Sequence, residues 1–336
     1  MFKVALLGSG RIAKVHAKHI HENPNSMLFS VSGANPDSTS AQELAIKYDA
    51  QTLSVDEAIN HSEVDIVLIA TPNHTHADYA VRAARAGKAI LTEKPIDLDV
   101  ARVRACIKEI EACGVPFMIG FNRRFDPHHS HLRRALQGGE IGVLEHLMIS
   151  SRDAAPPTSA HLAIAGGIYC DSTIHDFDMA RFILGEDPVL VSAIGAALVN
   201  EDVQAAGDID TSSVTLQTAS GKIVVINNSR RSGYGYDQRI EAHGQKGSLQ
   251  VRNPAATALV KLTEQGVESQ KPFYTDFDRY KEAFCEQWQG FVQALKHHQP
   301  VPINAQDGLK ALLLAKAAQE SLRTQRVVRI DLTQPS

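Results

Sequence analysis

The stretch KVALLGSGRIAKVHAKHIHE, residues 3–22, decides the fold. Lys3 to Gly8 is a short apolar run of strand length, and from Arg11 onward the apolar residues recur at helical spacing. Between them stands G8-S-G10-R-I-A13, a G-x-G-x-x-G/A loop in the strand-to-helix context that such a loop needs before it carries meaning. Gly8 permits the tight turn, Gly10 lets the backbone approach a pyrophosphate, and Ala13 is small enough for helix to pack on strand. The helix start adds amide donors and positive potential. Gly8, Ser9, Gly10, Arg11 and Ile12 are therefore candidates to hold a dinucleotide. The bland alternative is a glycine turn with no ligand, and the position of the loop weighs against it.

Working outward, LFSVSG (28–33), VDIVLIAT (64–71), KAILTEKP (88–95) and PFMIGF (116–121) read as further buried strands, with amphipathic stretches such as THADYAVRAARAG between them. Strand and helix alternating at this pace predict an α/β fold, a doubly wound parallel sheet of Rossmann type. Beyond residue 140 the texture changes. VLEHLMISSRD, VLVSAIGAALV, SSVTLQTASGKIVVINNSRR, DQRIEAHGQ and GSLQVRN are rich in β-branched residues and separated by turn chemistry such as Ser220-Gly221. These predict an α+β second domain with a largely antiparallel, open sheet. The expected division is a dinucleotide-binding domain over 1–121 and a substrate-binding and oligomerisation domain over 122–336.

Composition narrows the function. The chain has 336 residues, 43% hydrophobic and 21% charged, with 34 Lys plus Arg against 38 Asp plus Glu. A net charge of −4 gives no electrostatic case for nucleic acid or an anionic membrane surface. No apolar run approaches the length of a membrane span, so a soluble, cytoplasmic protein is expected. The four cysteines have no C-x-x-C spacing and read as reduced thiols. HHSH at 128–131 follows Asp126-Pro127 and lacks a matching ligand pair; it reads as a solvated helix start, and no metal is expected.

Ligands of open α/β sheets sit beyond the carboxyl ends of the strands, so strand ends supply the remaining cofactor candidates. The acid that would grip the NAD ribose should end the second strand, and the count lands on Gly33, with Asp37 already in the following turn. Without that acid a 2′-phosphate is not repelled; NAD and NADP are both admitted, and Gly33→Asp is expected to shift preference toward NAD. The third long strand ends in A-T-P-N-H-T-H (70–76), offering Thr71, Pro72, Asn73 and His76 near a nicotinamide, and the next in T-E-K-P (92–95), offering Glu93 and Lys94.

D-S-T-I-H-D-F-D-M (171–179) interleaves acids and a histidine with apolar residues. If helical, it stacks Asp171 and His175 on one face, pairing a carboxylate with an imidazole. Asp176 and Asp178 fall at other angles and read as structural. A charged helix start is the bland reading of the same residues.

Taken together, G-S-G-R-I-A, A-T-P-N-H-T-H, E-K-P-I-D-L-D, G-F-N-R-R-F-D-P, D-S-T-I-H-D-F-D-M-A-R-F and N-S-R-R-x-x-Y-G-Y-D-Q-R-I-E strongly resemble the family of glucose-fructose oxidoreductases, inositol dehydrogenases and rhizopine catabolism proteins, over essentially the whole chain. The later motifs look most like its inositol 2-dehydrogenases. The resemblance implies hydride transfer between a secondary alcohol of a small polyol and a nicotinamide, myo-inositol being the main expectation and scyllo-inositol or a sugar the runner-up. It implies a catalytic set of Lys94, Asp171 and His175, and a polyol pocket drawing also on Asn122, Arg123, Arg152, Asp153, Ser172 and Tyr236. It implies NAD as cofactor, a place in inositol catabolism, and a homodimer or homotetramer. A cofactor-binding sensor without turnover is the reading from another class; it would be expected to lack the lysine or the histidine.

Overall fold

A computed structural model of the chain describes residues 1–35 and 37–333. These fall into two compact units, Met1–Phe125 with Glu282–Leu312, and Asp126–Lys281 with residues 313–333.

In the first unit, strands β1 (Phe2–Leu7), β2 (Ser26–Ser32), β3 (Gln51–Thr52), β4 (Ile66–Ile69), β5 (Ala89–Thr92) and β6 (Phe117–Ile119) alternate with helices α1 (Arg11–Glu22), α2 (Thr39–Lys47), α3 (Val55–Asn60), α4 (His76–Arg85) and α5 (Val100–Cys113). The sheet order is β3-β2-β1-β4-β5-β6, and every pairing is parallel. Val4–Leu7 and Ile66–Ile69 are buried without a break, the mark of strands covered on both faces. Local chemistry starts the helices: Ser54 and Glu57 form a reciprocal capping box before α3, and the Asp99 side chain accepts from the Arg102 amide at the start of α5. The strand order reverses between β1 and β4, which opens a crevice at their carboxyl ends.

The second unit runs α6 (Pro127–Gln137), β7 (Leu144–Arg152), α7 (Ser159–Ala165), α8 (Ile168–Asp171), α9 (Thr173–Leu184), β8 (Pro188–Ala196), α10 (Glu201–Ala205), β9 (Thr211–Thr218), β10 (Ile223–Ser229), β11 (Asp237–Gly244) and β12 (Gly247–Val251). A hairpin of β13 (Val260–Thr263) and β14 (Gly266–Ser269) and the short α11 (Asp276–Arg279) follow. The chain then ends with α12 (Lys281–Lys296), α13 (Ala305–Thr324) and β15 (Val328–Arg329). The large sheet has the order β12-β11-β7-β10-β9-β8-β15. All of its pairings are antiparallel except that of β7 with β10, between which four helices and two strands intervene in the chain. One face buries Leu147, Ile149, Val191, Val214, Leu216, Val224 and Ile226, with α9 packed on β7 and β10 and the Ala193 amide donating to Ser321 of α13 at 2.9 Å. Met148, Ile194 and Ile223 stand exposed on the other face.

The segment 282–312 is expected from sequence to lie in the second domain, but it packs with the first unit. Trp288 donates its indole N–H to Ser26 Oγ at 2.9 Å, Phe284 meets His16 edge-on, and the Ile119 amide donates to the Ile303 carbonyl at 3.3 Å. An amphipathic helix declares which of its faces is apolar, not which core that face will fill. Among the described residues no helix is long and apolar enough to cross a membrane, and no group of three His, Cys, Asp or Glu is placed to hold a metal.

Candidate active site

The glycine loop is shaped by close backbone approach. Gly8 has φ +113, and a Cβ there would lie 2.3 Å from the Ala70 carbonyl oxygen, so only glycine fits. Two backbone bonds lace the three strand ends together, Gly8 N to Ser32 O and Ala70 N to Leu7 O, both 2.8 Å. Gly10 is the N-cap of α1; no side chain caps its amides, and nothing lies within 4 Å of a Cβ built on it. Ala13 is fully buried against the sheet, Arg11 is exposed and Ile12 half-buried. Ser9 Oγ lies 2.7 Å from Ser40 Oγ, which is 3.2 Å from Ser38 Oγ. An open cradle over the uncapped start of a 12-residue helix fits the pyrophosphate of a dinucleotide.

Two of the expected cofactor residues stand in crowded surroundings. Gly33 has no room for a side chain: a Cβ there would lie 2.2 Å from Ser38 Cβ and 3.1 Å from Ala41 Cβ, because the start of α2 packs against it. His76 does not offer its ring to a ligand. It is 1% exposed, with Nδ1 2.8 Å from the Pro95 carbonyl and Nε2 2.7 Å from that of Thr71. It braces the 71–76 loop to the segment after Lys94. Burial lowers its pKa, and the two carbonyls and Glu93 pull the other way.

Thr71 Oγ1 pairs with Thr75 Oγ1 at 2.7 Å, and Pro72 and Asn73 retain solvent exposure at the start of a short 3₁₀ turn. Glu93 is held by the buried His16, whose Nε2 is 2.6 Å from Oε1, and Gly120 leaves the carboxylate its room. Lys94 beside it is half-buried, while Asn122 and Arg123 are buried at 5% and 6% exposure.

In the second unit the 171–179 stretch is two helices rather than one. α8 ends at Asp171, Ser172 intervenes, and α9 begins at Thr173, with the His175 amide donating to Ser172 O at 3.3 Å. From Ile168 to Ala180 every residue is buried except Asp171, Ser172 and His175. Over this span the two helices thus open to solvent along one polar stripe. Asp176, fully buried, accepts from Asn228 at 2.7 Å, and Asp178 is 1% exposed; both belong to the interior.

Around the stripe, Ser172 Oγ donates to Asp153 at 3.4 Å, and Arg152 donates to Tyr234 Oη at 2.8 Å and to the buried Asp237 at 3.2 Å. Tyr236 is buried, its ring edge-on to Tyr280. Three residues at the stripe escape sequence reasoning. Asp171 Oδ2 is shared by Arg230 and His161, and Arg230 also reaches Asp208. Isolated charges in a loop and on a short helix have no periodic signature, although Arg230 lies within the N-S-R-R motif.

A strand order that reverses beside an open glycine cradle, joined in one chain to a second unit bearing an acid, hydroxyl and imidazole stripe, defines the class as a dinucleotide-dependent oxidoreductase. Residues 2–121 match the profile described as an oxidoreductase family with an NAD-binding Rossmann fold, and residues 129–250 match the GFO/IDH/MocA C-terminal domain. The chain belongs to the GFO/IDH/MocA oxidoreductase family. It is 45% identical over 329 residues to the inositol 2-dehydrogenase of Rhizobium meliloti (strain 1021), covering 98% of this chain and 99% of that protein. Among solved structures, it matches a myo-inositol dehydrogenase from Corynebacterium glutamicum ATCC 13032 with TM-score 0.94 and 38% identity, over 98% of this chain and 99% of the other. A scyllo-inositol dehydrogenase from Lactobacillus casei, solved with NAD(H) and scyllo-inositol bound, matches with TM-score 0.90 and 26% identity over 98% and 99% of the two chains.

Proposed function

We propose that the protein oxidises myo-inositol to 2-keto-myo-inositol (scyllo-inosose) with NAD as acceptor. The observation that carries this is the stripe of Asp171, Ser172 and His175, the only residues from Ile168 to Ala180 that are not buried, in a chain 45% identical along its length to an inositol 2-dehydrogenase. Oxidising a CH–OH group requires a base for the hydroxyl proton and a positive group for the developing alkoxide. His175 takes the proton, an imidazole being suited to exchange it near neutral pH. Lys94 holds the reacting oxygen and stabilises its negative charge. Asp171 orients the substrate and favours the imidazolium once His175 is protonated. NAD, when bound, supplies the hydride acceptor. Gly8, Ser9, Gly10, Arg11 and Ile12 with the first amides of α1 would hold its pyrophosphate, and Thr71, Pro72 and Asn73 would border the nicotinamide half.

Polyols are read by paired donors and acceptors, which Asn122, Arg123, Arg152, Asp153, Ser172 and Tyr236 offer. Scyllo-inositol is the second reading, favoured by the Lactobacillus casei structure that holds it. We place the protein in the cytoplasm as a homodimer or homotetramer, the second unit serving both substrate binding and assembly. A panel of inositol stereoisomers and aldoses, assayed for NADH and NADPH formation with each cofactor in turn, tests the reading: myo-inositol with NAD is expected to give the highest kcat/KM. A higher value for scyllo-inositol would move the assignment to the second reading, and no turnover of any inositol would refute both.

A further inference from the structure

Asp171 is held from two sides. Arg230 Nη1 donates to its Oδ2 at 3.2 Å, and His161 Nε2 lies 2.9 Å from the same oxygen. The guanidinium is 1% exposed, and its second nitrogen donates to Asp208 at 3.4 Å. Asp208 in turn accepts from the amide of Ile168, the first residue of α8, at 3.1 Å. One buried cation thus grips a four-residue helix at both ends, at its first amide through Asp208 and at its last side chain directly. His161, on α7 with a side chain 46% exposed, reaches the carboxylate from the solvent side.

The desolvation of a buried guanidinium offsets much of its Coulombic gain, so stability is a weak reason for it to be there. Its rigid fork, by contrast, fixes direction, and α8 leads straight into Ser172 and His175. We propose that Arg230 is the positioning residue for Asp171, with Asp208 as its counter-anchor and His161 as a second donor at the rim. This rests on the reading of Asp171 as part of the catalytic set. The charged or titratable groups around the Asp171 carboxylate include His161 from α7, Arg230 just after β10, Asp208 through Arg230, and His175 one turn on in α9. Both donors favour the ionised carboxylate, so removing either raises its pKa and moves the acid limb of the kcat profile to higher pH.

The test uses the full-length protein with myo-inositol and NAD across pH, and the polyol-induced rise in Tm as a second readout. Arg230→Gln is expected to lower kcat by roughly a hundred-fold and to raise the acid limb. Arg230→Lys, which keeps the charge and loses the fork, should lower kcat about ten-fold with the limb in place. His161→Ala should cost several-fold and raise the limb, and His161→Gln, whose amide still donates, should recover most of that loss. NADH affinity is expected to hold in all four variants. Should Arg230→Gln fail to fold, Arg230→Lys and the half-exposed His161 carry the test. Wild-type kcat, an unmoved acid limb and an unchanged polyol-induced Tm shift in both Arg230→Lys and His161→Ala, alongside an inactive Asp171→Asn, would overturn the proposal. Full turnover by Asp171→Asn would instead overturn the catalytic reading on which it rests.

Discussion

In the proposed reaction Lys94 and His175 handle the two charges that alcohol oxidation moves, the developing alkoxide and the departing proton. Lys94→Ala and His175→Ala should each lower kcat by roughly 10²–10⁴-fold while the affinity for NADH, followed by fluorescence titration, stays within about two-fold. Unchanged turnover in either variant would remove that residue from the chemistry. Gly33 gives a different outcome from the one its position in the sequence suggests. With Ser38 Cβ 2.2 Å from where a Cβ would stand, Gly33→Asp is expected to lower Tm without a gain in the NAD to NADP ratio of kcat/KM. A stable variant with a raised ratio would show that the side chain can turn toward the ribose. The glycine loop was legible because its residues are consecutive and because Gly8, at a close backbone approach, has a steric reason to be glycine. The crowding at Gly33 was not legible because counting along a strand fixes a position, not the direction in which a side chain would leave it. Arg230, His161 and Asp208 were invisible for a further reason: they come together only through folding.

At the level of elements, apolar alternation located all five strands expected in the first half, and turn chemistry anticipated a mostly antiparallel sheet in the second. The parallel pairing of β7 with β10 had no local signal, since both partners read as ordinary alternating strands. Nor did the break at Ser172, because each half of 168–184 has helical composition. The β7–β11 end of the sheet makes a prediction of its own. Asp237, fully buried in β11, accepts from Arg239 at 2.7 Å, Tyr234 at 2.5 Å, Asn253 at 2.6 Å and Arg152 at 3.2 Å. Burial works against its charge, yet Arg239, Tyr234 and Asn253 together hold its pKa below the usual carboxylate range. A carboxylate lowered in the folded state stabilises the fold above its unfolded pKa, near 4, and that contribution is lost as pH falls through the folded value. Asp237→Asn should therefore lower Tm at neutral pH and make the acid decline of Tm shallower than in the wild type. An equally steep decline would assign the acid sensitivity elsewhere.

For the molecule as a whole, the two textures of the sequence anticipated two kinds of sheet. They did not show that residues 282–312 join the first unit, because the partner surface of an amphipathic helix is a tertiary choice. The outer face of the large sheet leaves Met148, Ile194 and Ile223 in solvent, and such a face favours self-association. Light scattering is expected to give the mass of a dimer or tetramer of the 36.5 kDa chain, and Met148→Glu with Ile223→Glu should lower it. A monomer at micromolar concentration would remove assembly from the account. The reaction itself is tested most directly with myo-inositol deuterated at carbon 2, by mass spectrometry of the reduced cofactor. Transfer of the deuterium to NADH, with 2-keto-myo-inositol as the product, is the predicted result. NADH formed without the label, or no NADH from this substrate, would contradict the assignment.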